Sequence, residues 1–200
     1  MSEDNQLEIS PEDFPKESDY SFNLEEKLRS ILALRSQMSS DAVTAGHLGT
    51  EREGHGVLIS ENGLVLTIGY LITEADTIWL VDATGKATQA HTVGYDQETG
   101  FGLVQALGQL SVPHLTLGKS SALHVGDPLV IGASGGIEKS VAASVVSKRE
   151  FAGYWEYVLD EGIFTAPAHP FWGGSGAIDQ FGHLVGITSL FVQQAAADGS

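Results

Sequence analysis

Short apolar runs separated by glycine-rich turns dominate the chain beyond Gly54. The first group of predicted strands comprises residues 56–60, 64–72, 77–81, 86–94 and 101–107. The second group comprises residues 128–133, 140–147, 155–166, 176–178 and 183–191. The Asn62-Gly63 pair between the first two runs is a strong hairpin signal. Strands at hairpin spacing without intervening helices predict barrels or sandwiches rather than βαβ units.

The region before the strands has a different pattern. Asn23 followed three residues later by Glu26 is typical of a capped helix start, and Leu24 and Leu28 share one helical face. This helix is short if Ile31 begins a strand. Residues 1–20 are acidic and polar, which favours a disordered arm. The predicted organisation is therefore an acidic arm (1–22), a helix with a first barrel (23–107), a connector (108–127) and a second barrel (128–200).

Composition excludes several classes of function. The chain has ten Lys and Arg residues and 26 Asp and Glu residues. The resulting net charge of −16 opposes binding to nucleic acid or to anionic lipid. The absence of cysteine removes disulfides, thiol nucleophiles and thiolate metal sites. The seven histidines show neither H-x-x-H nor H-E-x-x-H spacing. We therefore expect no metal and no cofactor.

The sequence also carries a prediction about location. No run of about 18 apolar residues exists, so we expect no membrane span. The first 20 residues lack both the basic start and the apolar stretch of a signal peptide. The chain as written is therefore predicted to be cytoplasmic, and a chain already trimmed of its leader would be periplasmic.

Two glycine-rich serine motifs are candidates for chemistry. Residues 132–136 around Ser134 match G-x-S-x-G directly after a predicted strand. A nucleophile elbow must be followed by a helix, whereas the next segment is rich in β-formers, which favours an ordinary glycine turn. The second motif, residues 172–177 around Ser175, lies between two predicted strands of the second group.

The second motif carries a family resemblance. The segment Gly173-Gly174-Ser175-Gly176-Ala177, with residues 184–188 downstream, resembles the Gly-Asn-Ser-Gly-Gly and Val-Ile-Gly-Ile segments of HtrA/Deg serine proteases. Residues 56–63 and 125–132 are similar to two further stretches of that family, in the same order. The resemblance runs from about Gly54 to Ile187 and implies an all-β, trypsin-like double β-barrel with a short N-terminal helix.

The same resemblance implies that the catalytic triad is incomplete. Ser175 occupies the nucleophile position, but Tyr70 occupies that of the histidine and Gly100 that of the orienting aspartate. A serine hydroxyl is a poor nucleophile without a neighbouring base, and a phenol near neutral pH is protonated. Another histidine, His55 or His183, is more readily interpreted as structural, and a Ser–Lys pair with Lys139 or Lys148 matches no role in the family.

Backbone groups of the site do not depend on the triad. The family's oxyanion hole is made by the N–H groups that correspond to Gly173 and Ser175, although a plain glycine turn is equally consistent with the sequence. The resemblance places His169 at the floor of the specificity pocket, where a polar or acidic anchor is expected below about pH 6.5. It places Ile187, Thr188 and Ser189 along the groove that binds substrate as an added strand.

Three functions remain open at this point. The preferred hypothesis is a pseudoprotease that binds peptide or protein without cutting it, with a homo-oligomer left open. The alternatives are an active HtrA/Deg-type endopeptidase that uses Ser175 with a relocated base, and a structural or assembly protein with no groove function. Trypsin-like folds end with one more strand and a helix that the sequence does not show after Ile187, so the second barrel is expected to lack its last elements.

Overall fold

The computed structural model describes residues 9–153 and 158–192. Six strands form a closed antiparallel barrel in the order β1-β2-β3-β6-β5-β4. They are β1 (Ile31–Gln37), β2 (Glu51–Leu58), β3 (Leu64–Ile68), β4 (Thr77–Val81), β5 (Ala87–Tyr95) and β6 (Phe101–Ala106). The barrel closes because β1 pairs with both β2 and β4. Leu32 and Leu34 of β1 alternate into its core.

Five further strands form a second, open antiparallel sheet in the order β11-β10-β7-β8-β9. They are β7 (Pro128–Gly132), β8 (Ser140–Ala152), β9 (Val158–Ala166), β10 (Gly176–Asp179) and β11 (Leu184–Ile187). Within the described residues β9 and β11 do not pair, so this sheet is a half-barrel. The predicted all-β, trypsin-like double barrel is confirmed, together with its short N-terminal helix.

That helix, α1 (Leu24–Leu28), seals the junction between the two sheets. The Asn23 side chain accepts a hydrogen bond of 2.8 Å from the Glu26 N–H, as the capping pattern predicts. Leu24 and Leu28 are fully buried together with Val57 of the first barrel and Val130 of the second sheet. A second short helix, α2 (Ala45–Leu48), lies in the loop between β1 and β2.

The predicted acidic arm is wrong for residues 9–22, while residues 1–8 lie outside the described part of the chain. Two short 3-10 helices, Pro11–Asp13 and Glu17–Asp19, precede α1. The Glu17 carboxylate accepts hydrogen bonds from the Leu24 N–H (2.9 Å) and the Glu25 N–H (3.3 Å). Free N–H groups and the positive end of a helix attract an acid at this position, so Glu17 docks this segment on the start of α1.

Several predicted strand limits also need correction. β8 continues to Ala152 beyond the expected residue 147, and β11 ends at Ile187 and not at residue 191. β2 begins at Glu51 and not at residue 56, and β3 ends at Ile68, where a 3-10 turn (Gly69–Leu71) replaces the expected continuation to residue 72. The buried Arg52 side chain fixes this turn by donating to the Tyr70 carbonyl oxygen (2.6 Å) and to the Thr73 carbonyl oxygen (3.1 Å). A contact between residues 18 apart gives no signal in local periodicity.

The Ser134 motif does not form a nucleophile elbow. After β7 the chain makes a 3-10 turn, Ile137–Lys139, and enters β8, which pairs antiparallel with β7. A strand and not a helix follows the serine, so the glycine-turn interpretation is correct.

Candidate functional site

Ser175 immediately precedes β10 and is completely buried. Its hydroxyl donates a hydrogen bond of 2.5 Å to the Phe171 carbonyl oxygen, within the loop that leads to the serine. Its backbone N–H faces the Trp172 carbonyl oxygen at 3.4 Å, and the Thr188 hydroxyl donates to the same oxygen. Both donors of Ser175 are therefore bonded inside the protein, and no face of the side chain is exposed.

Backbone contacts fasten this loop to the first barrel. The His55 N–H of β2 donates to the Gly173 carbonyl oxygen at 2.8 Å. Gly174 has φ +80°, and a Cβ at this position would lie 2.1 Å from the His55 carbonyl oxygen. The Gly174 N–H in turn donates to the Thr188 carbonyl oxygen at 2.9 Å. Glycine is therefore required at position 174 by close approach as well as by conformation.

Tyr70, the position matched to the triad histidine, lies on the first barrel beside this loop, whereas Gly100, the position matched to the aspartate, contacts the turn that carries Tyr70. A Cβ at Gly173 would lie 3.2 Å from the Tyr70 hydroxyl oxygen, and the Tyr70 ring makes an edge contact with Trp172 at 6.4 Å between centroids. The Tyr70 hydroxyl donates to the Ser189 carbonyl oxygen at 3.0 Å. Gly100 supports the turn beneath Tyr70, since its carbonyl oxygen accepts the Gly69 N–H at 2.7 Å.

The structure also places His55 beside Ser175, although the sequence had suggested only a structural role for this histidine. The His55 Nδ1 lies 3.3 Å from the Ser175 Oγ and 3.4 Å from the Gly173 carbonyl oxygen. The sequence signal that could have located His55 is the alternation of side chains along β2. His55 is two residues from Val57, a residue of the core between the sheets, and therefore lies on the same side of the strand. Nothing in the sequence indicated that this side also meets Ser175, which is 120 residues away.

The neighbours of His55 determine the role of its ring. The Ser175 proton is given to Phe171, so the Oγ offers lone pairs to Nδ1, and the Gly173 carbonyl oxygen, the other neighbour of Nδ1, can only accept. His55 therefore carries its proton on Nδ1 and donates. Burial lowers the pKa of His55 to about 4; the Gly173 carbonyl opposes this decrease and His169 adds to it. The ring is neutral at pH 7, but it is a weak base.

His169 has both ring nitrogens occupied, contrary to the expectation that it offers an anchor for a polar or acidic group. Its Nδ1 accepts the Phe171 N–H at 2.9 Å, and its Nε2 donates to the Lys139 carbonyl oxygen at 2.9 Å. Its pKa is lowered by burial, against the opposing effect of the Lys139 carbonyl. His169 therefore fastens the serine loop to the turn before β8.

One cleft of about 340 Å³ brings the predicted groove residues together. Its wall includes Ile187, Thr188 and Ser189, with Trp172 and His169 at one end. The rest is mainly apolar and comes from both barrels and the connector. The half-barrel contributes Ile131, Phe151, Ile163 and Val185, the connector contributes Leu123, and the first barrel contributes Ile68 and Phe101. Such a surface suits an extended, apolar segment.

Two other classes of site receive no support from the described residues. No three His, Asp or Glu side chains among residues 9–153 and 158–192 lie close enough together to hold a metal ion. No helix in the same part of the chain is long and apolar enough to cross a bilayer.

A closed barrel and a half-barrel that meet at a Gly-rich serine loop, here Gly173-Gly174-Ser175, have the architecture of the trypsin-like peptidases. The family model of the trypsin-like peptidase domain matches residues 54–187, and the chain belongs to this family. Its curated relatives are of the HtrA/Deg type. "Serine protease HTRA1" of Xenopus laevis is 25% identical over 150 residues, covering 70% of this chain and 31% of the relative. "Probable periplasmic serine endoprotease DegP-like" of Ectopseudomonas mendocina is 34% identical over 106 residues, covering 50% and 22%.

Solved structures show the same fold. "HtrA-type protease AlgW with tripeptide" superposes with a TM-score of 0.68 at 20% identity, covering 86% of this chain and 54% of that one. "HtrA-type protease AlgW with decapeptide" gives a TM-score of 0.66 at 19% identity, covering 86% and 59%. The chain thus spans about half the length of these structures and a third or less of the curated relatives described above. A cytoplasmic location stays a prediction.

The close approach at Gly174 predicts a large effect of a single methyl group. Gly85 has φ +83° with no atom within 4 Å of an added Cβ, so Gly85→Ala isolates the conformational cost, about 1 kcal/mol. Gly174→Ala adds a backbone clash, and we expect a loss above about 3 kcal/mol. Urea unfolding of both variants measures the difference, and equal losses would contradict the contact with His55.

The lowered pKa of His55 predicts acid sensitivity. The unfolded chain takes up this proton near pH 6.5 and the folded chain only near pH 4. The free energy of unfolding therefore falls as the pH drops through this interval, by roughly 3 kcal/mol from this group. Urea unfolding across the interval should show a smaller loss in His55→Gln, whose amide still donates to Gly173. His91→Gln, a change at an exposed histidine, should behave as the unmodified chain, and an unaltered slope in His55→Gln would refute the assignment.

Proposed function

We propose that this chain is a trypsin-like serine protease homologue that binds peptide or protein in its groove without cleaving it. The observation that carries the proposal is the buried Ser175 hydroxyl, whose proton is given to the Phe171 carbonyl oxygen and not to a base. Attack on a carbonyl requires a base that takes this proton. Tyr70 stands at the position of the family's base, and its hydroxyl donates to Ser189.

The oxyanion side of the site supports the same conclusion. In the family, the N–H groups at the positions of Gly173 and Ser175 stabilise the developing negative charge. Here the Ser175 N–H already faces the Trp172 carbonyl oxygen. A substrate carbonyl would have to displace that oxygen and would meet no activated nucleophile afterwards. An oxyanion hole whose N–H group becomes available only after the loop rearranges can hold a carbonyl or carboxylate group, but it is not suited to rapid turnover.

A second candidate, an endopeptidase with a relocated base, is favoured by one contact. The His55 Nδ1 lies 3.3 Å from the Ser175 Oγ, within reach of a loosely formed Ser–His pair. Three facts rank it lower. Nδ1 carries the proton in this arrangement, the pKa of about 4 makes the ring a weak base, and no acidic side chain is among the groups that shift this pKa.

The proposed binding mode is the addition of an extended strand along Ile187–Ser189. The cleft beside these residues is apolar, and the related HtrA-type proteins were solved with a tripeptide and a decapeptide. Backbone groups supply such binding and pockets for alternate side chains supply selectivity, so no triad is needed. Tyr70 competes at present for the Ser189 carbonyl oxygen. The net charge of −16 disfavours nucleic acid as the ligand.

The proposal predicts no hydrolysis. The purified chain should leave casein and generic peptide substrates uncut above the background of buffer, because no base serves Ser175. Activity that disappears both in Ser175→Ala and in His55→Ala would establish the relocated base and overturn the proposal. A contaminating protease would survive both substitutions.

Removal of one hydroxyl should strengthen peptide binding. Tyr70→Phe keeps the ring contact with Trp172 but removes the hydroxyl that donates to the Ser189 carbonyl oxygen. We expect affinity for a pool of extended decapeptides to rise about fivefold, the value of one modest hydrogen bond. Tyr95→Phe, at a half-exposed tyrosine of β5, is the matched control and should leave affinity unchanged.

Changes in backbone amide chemical shifts, followed by NMR during titration with the peptide pool, measure both the affinity and the location of binding. They should centre on Ser175 and Thr188. Shifts that avoid both residues, or no shifts in either variant, would favour the structural or assembly role.

A further inference from the structure

A chain of hydrogen bonds runs from the turn before β8 to the serine. His169 donates from Nε2 to the Lys139 carbonyl oxygen, at 2.9 Å. The Phe171 N–H donates to the Nδ1 of the same ring, at 2.9 Å. The Phe171 carbonyl oxygen accepts the Ser175 hydroxyl, at 2.5 Å. His169 is thus the anchor of the loop that encloses Ser175.

Only the neutral ring fits this arrangement. Nδ1 is an acceptor, so a second proton would place an N–H directly against the Phe171 N–H. The ring is only 4% exposed, which leaves the added proton without water as an alternative partner. Two buried donors facing each other lose their hydrogen bond and repel. Protonation of His169 therefore breaks the link between Lys139 and the serine loop.

We propose that His169 is an acid-sensitive latch, whose protonation releases the Phe171 end of the loop from Phe171 to Ser175, so that this loop can rearrange around a peptide in the adjoining groove. The inference rests on the proposed function in one respect, namely that the groove is the peptide site. The loop is closed at pH values above the pKa of His169 and open at pH values below it. Binding would accordingly be stronger in a mildly acidic compartment than at neutral pH.

The charged groups around His169 set where the latch opens. The Lys139 ammonium lies 5.2 Å from the centroid of the Phe171 ring, and His55 is the second titratable ring nearby. The Lys139 ammonium opposes a further positive charge, whereas the His55 ring is neutral above about pH 4 and adds none. Glu138 is exposed on the same turn, and Glu161, which lines the cleft, is paired with Lys148 at 3.0 Å. The pKa of His169 is lowered mainly by burial, so release occurs below the ordinary range of histidine.

Amide hydrogen exchange without any peptide tests the latch. Protection of the Phe171 and Ser175 N–H groups, corrected for intrinsic exchange, should fall about tenfold or more between about pH 7 and pH 5. Protection at Ile131 in β7 reports general unfolding, which His55 also makes sensitive to acid. Loop release is therefore read from exchange at Phe171 and Ser175 that is faster than exchange at Ile131 and that increases at the lower pH. His169→Asn keeps an acceptor for the N–H two residues onward but cannot titrate, so its loop should stay protected at both pH values. His91→Asn, at an exposed histidine, should behave as the unmodified chain.

Two results would overturn the latch. One is unchanged protection of Phe171 and Ser175 at about pH 5. The other is an equal loss in His169→Asn, or in His169→Gln should the asparagine variant fail to fold. The proposed function fails differently, since a loop that opens in acid while the peptide pool causes no shifts at either pH would leave the latch intact and remove the peptide site.

Discussion

The contact between β2 and the serine loop is the constraint on which the rest of the site depends. One backbone hydrogen bond, from the His55 N–H to the Gly173 carbonyl oxygen, joins the closed barrel to the half-barrel at this point. The approach is so close that position 174 has no room for a side chain. Burial of Ser175, the contact of His55 with its hydroxyl and the position of Tyr70 beside Gly173 all follow from it.

Polar groups that a triad would employ are satisfied inside the protein. The Ser175 hydroxyl is bonded to Phe171, its N–H faces Trp172, and the Tyr70 hydroxyl reaches Ser189. Buried donors without partners cost free energy, so a serine site without a base is more stable when its own carbonyl groups bond to its donors. The closed loop thus agrees with the proposed function, in which Tyr70 and Gly100 stand where the family has its triad histidine and aspartate.

Local pattern predicted the elements well and the contacts between them less well. Short apolar runs, glycine-rich turns and the single Asn62-Gly63 pair indicated most strands, and the four residues from Asn23 to Glu26 were enough to predict the helix cap. The resemblance to HtrA/Deg proteases placed Tyr70 and Gly100 next to the serine loop. The role of His55 was missed because it depends on a residue 120 positions away. The docking of Glu17 on α1 was missed because acidic composition alone does not distinguish a helix-capping carboxylate from a solvated one.

The central claim is that Ser175 is neither activated nor accessible at neutral pH. Labelling with a fluorophosphonate probe, followed by peptide mapping, tests it most directly, with an active trypsin-like protease as the positive control. The account predicts no adduct at Ser175, because the hydroxyl is buried and bonded to Phe171. A stoichiometric adduct at Ser175 that is lost in His55→Gln would contradict it and would identify His55 as the base of an active enzyme.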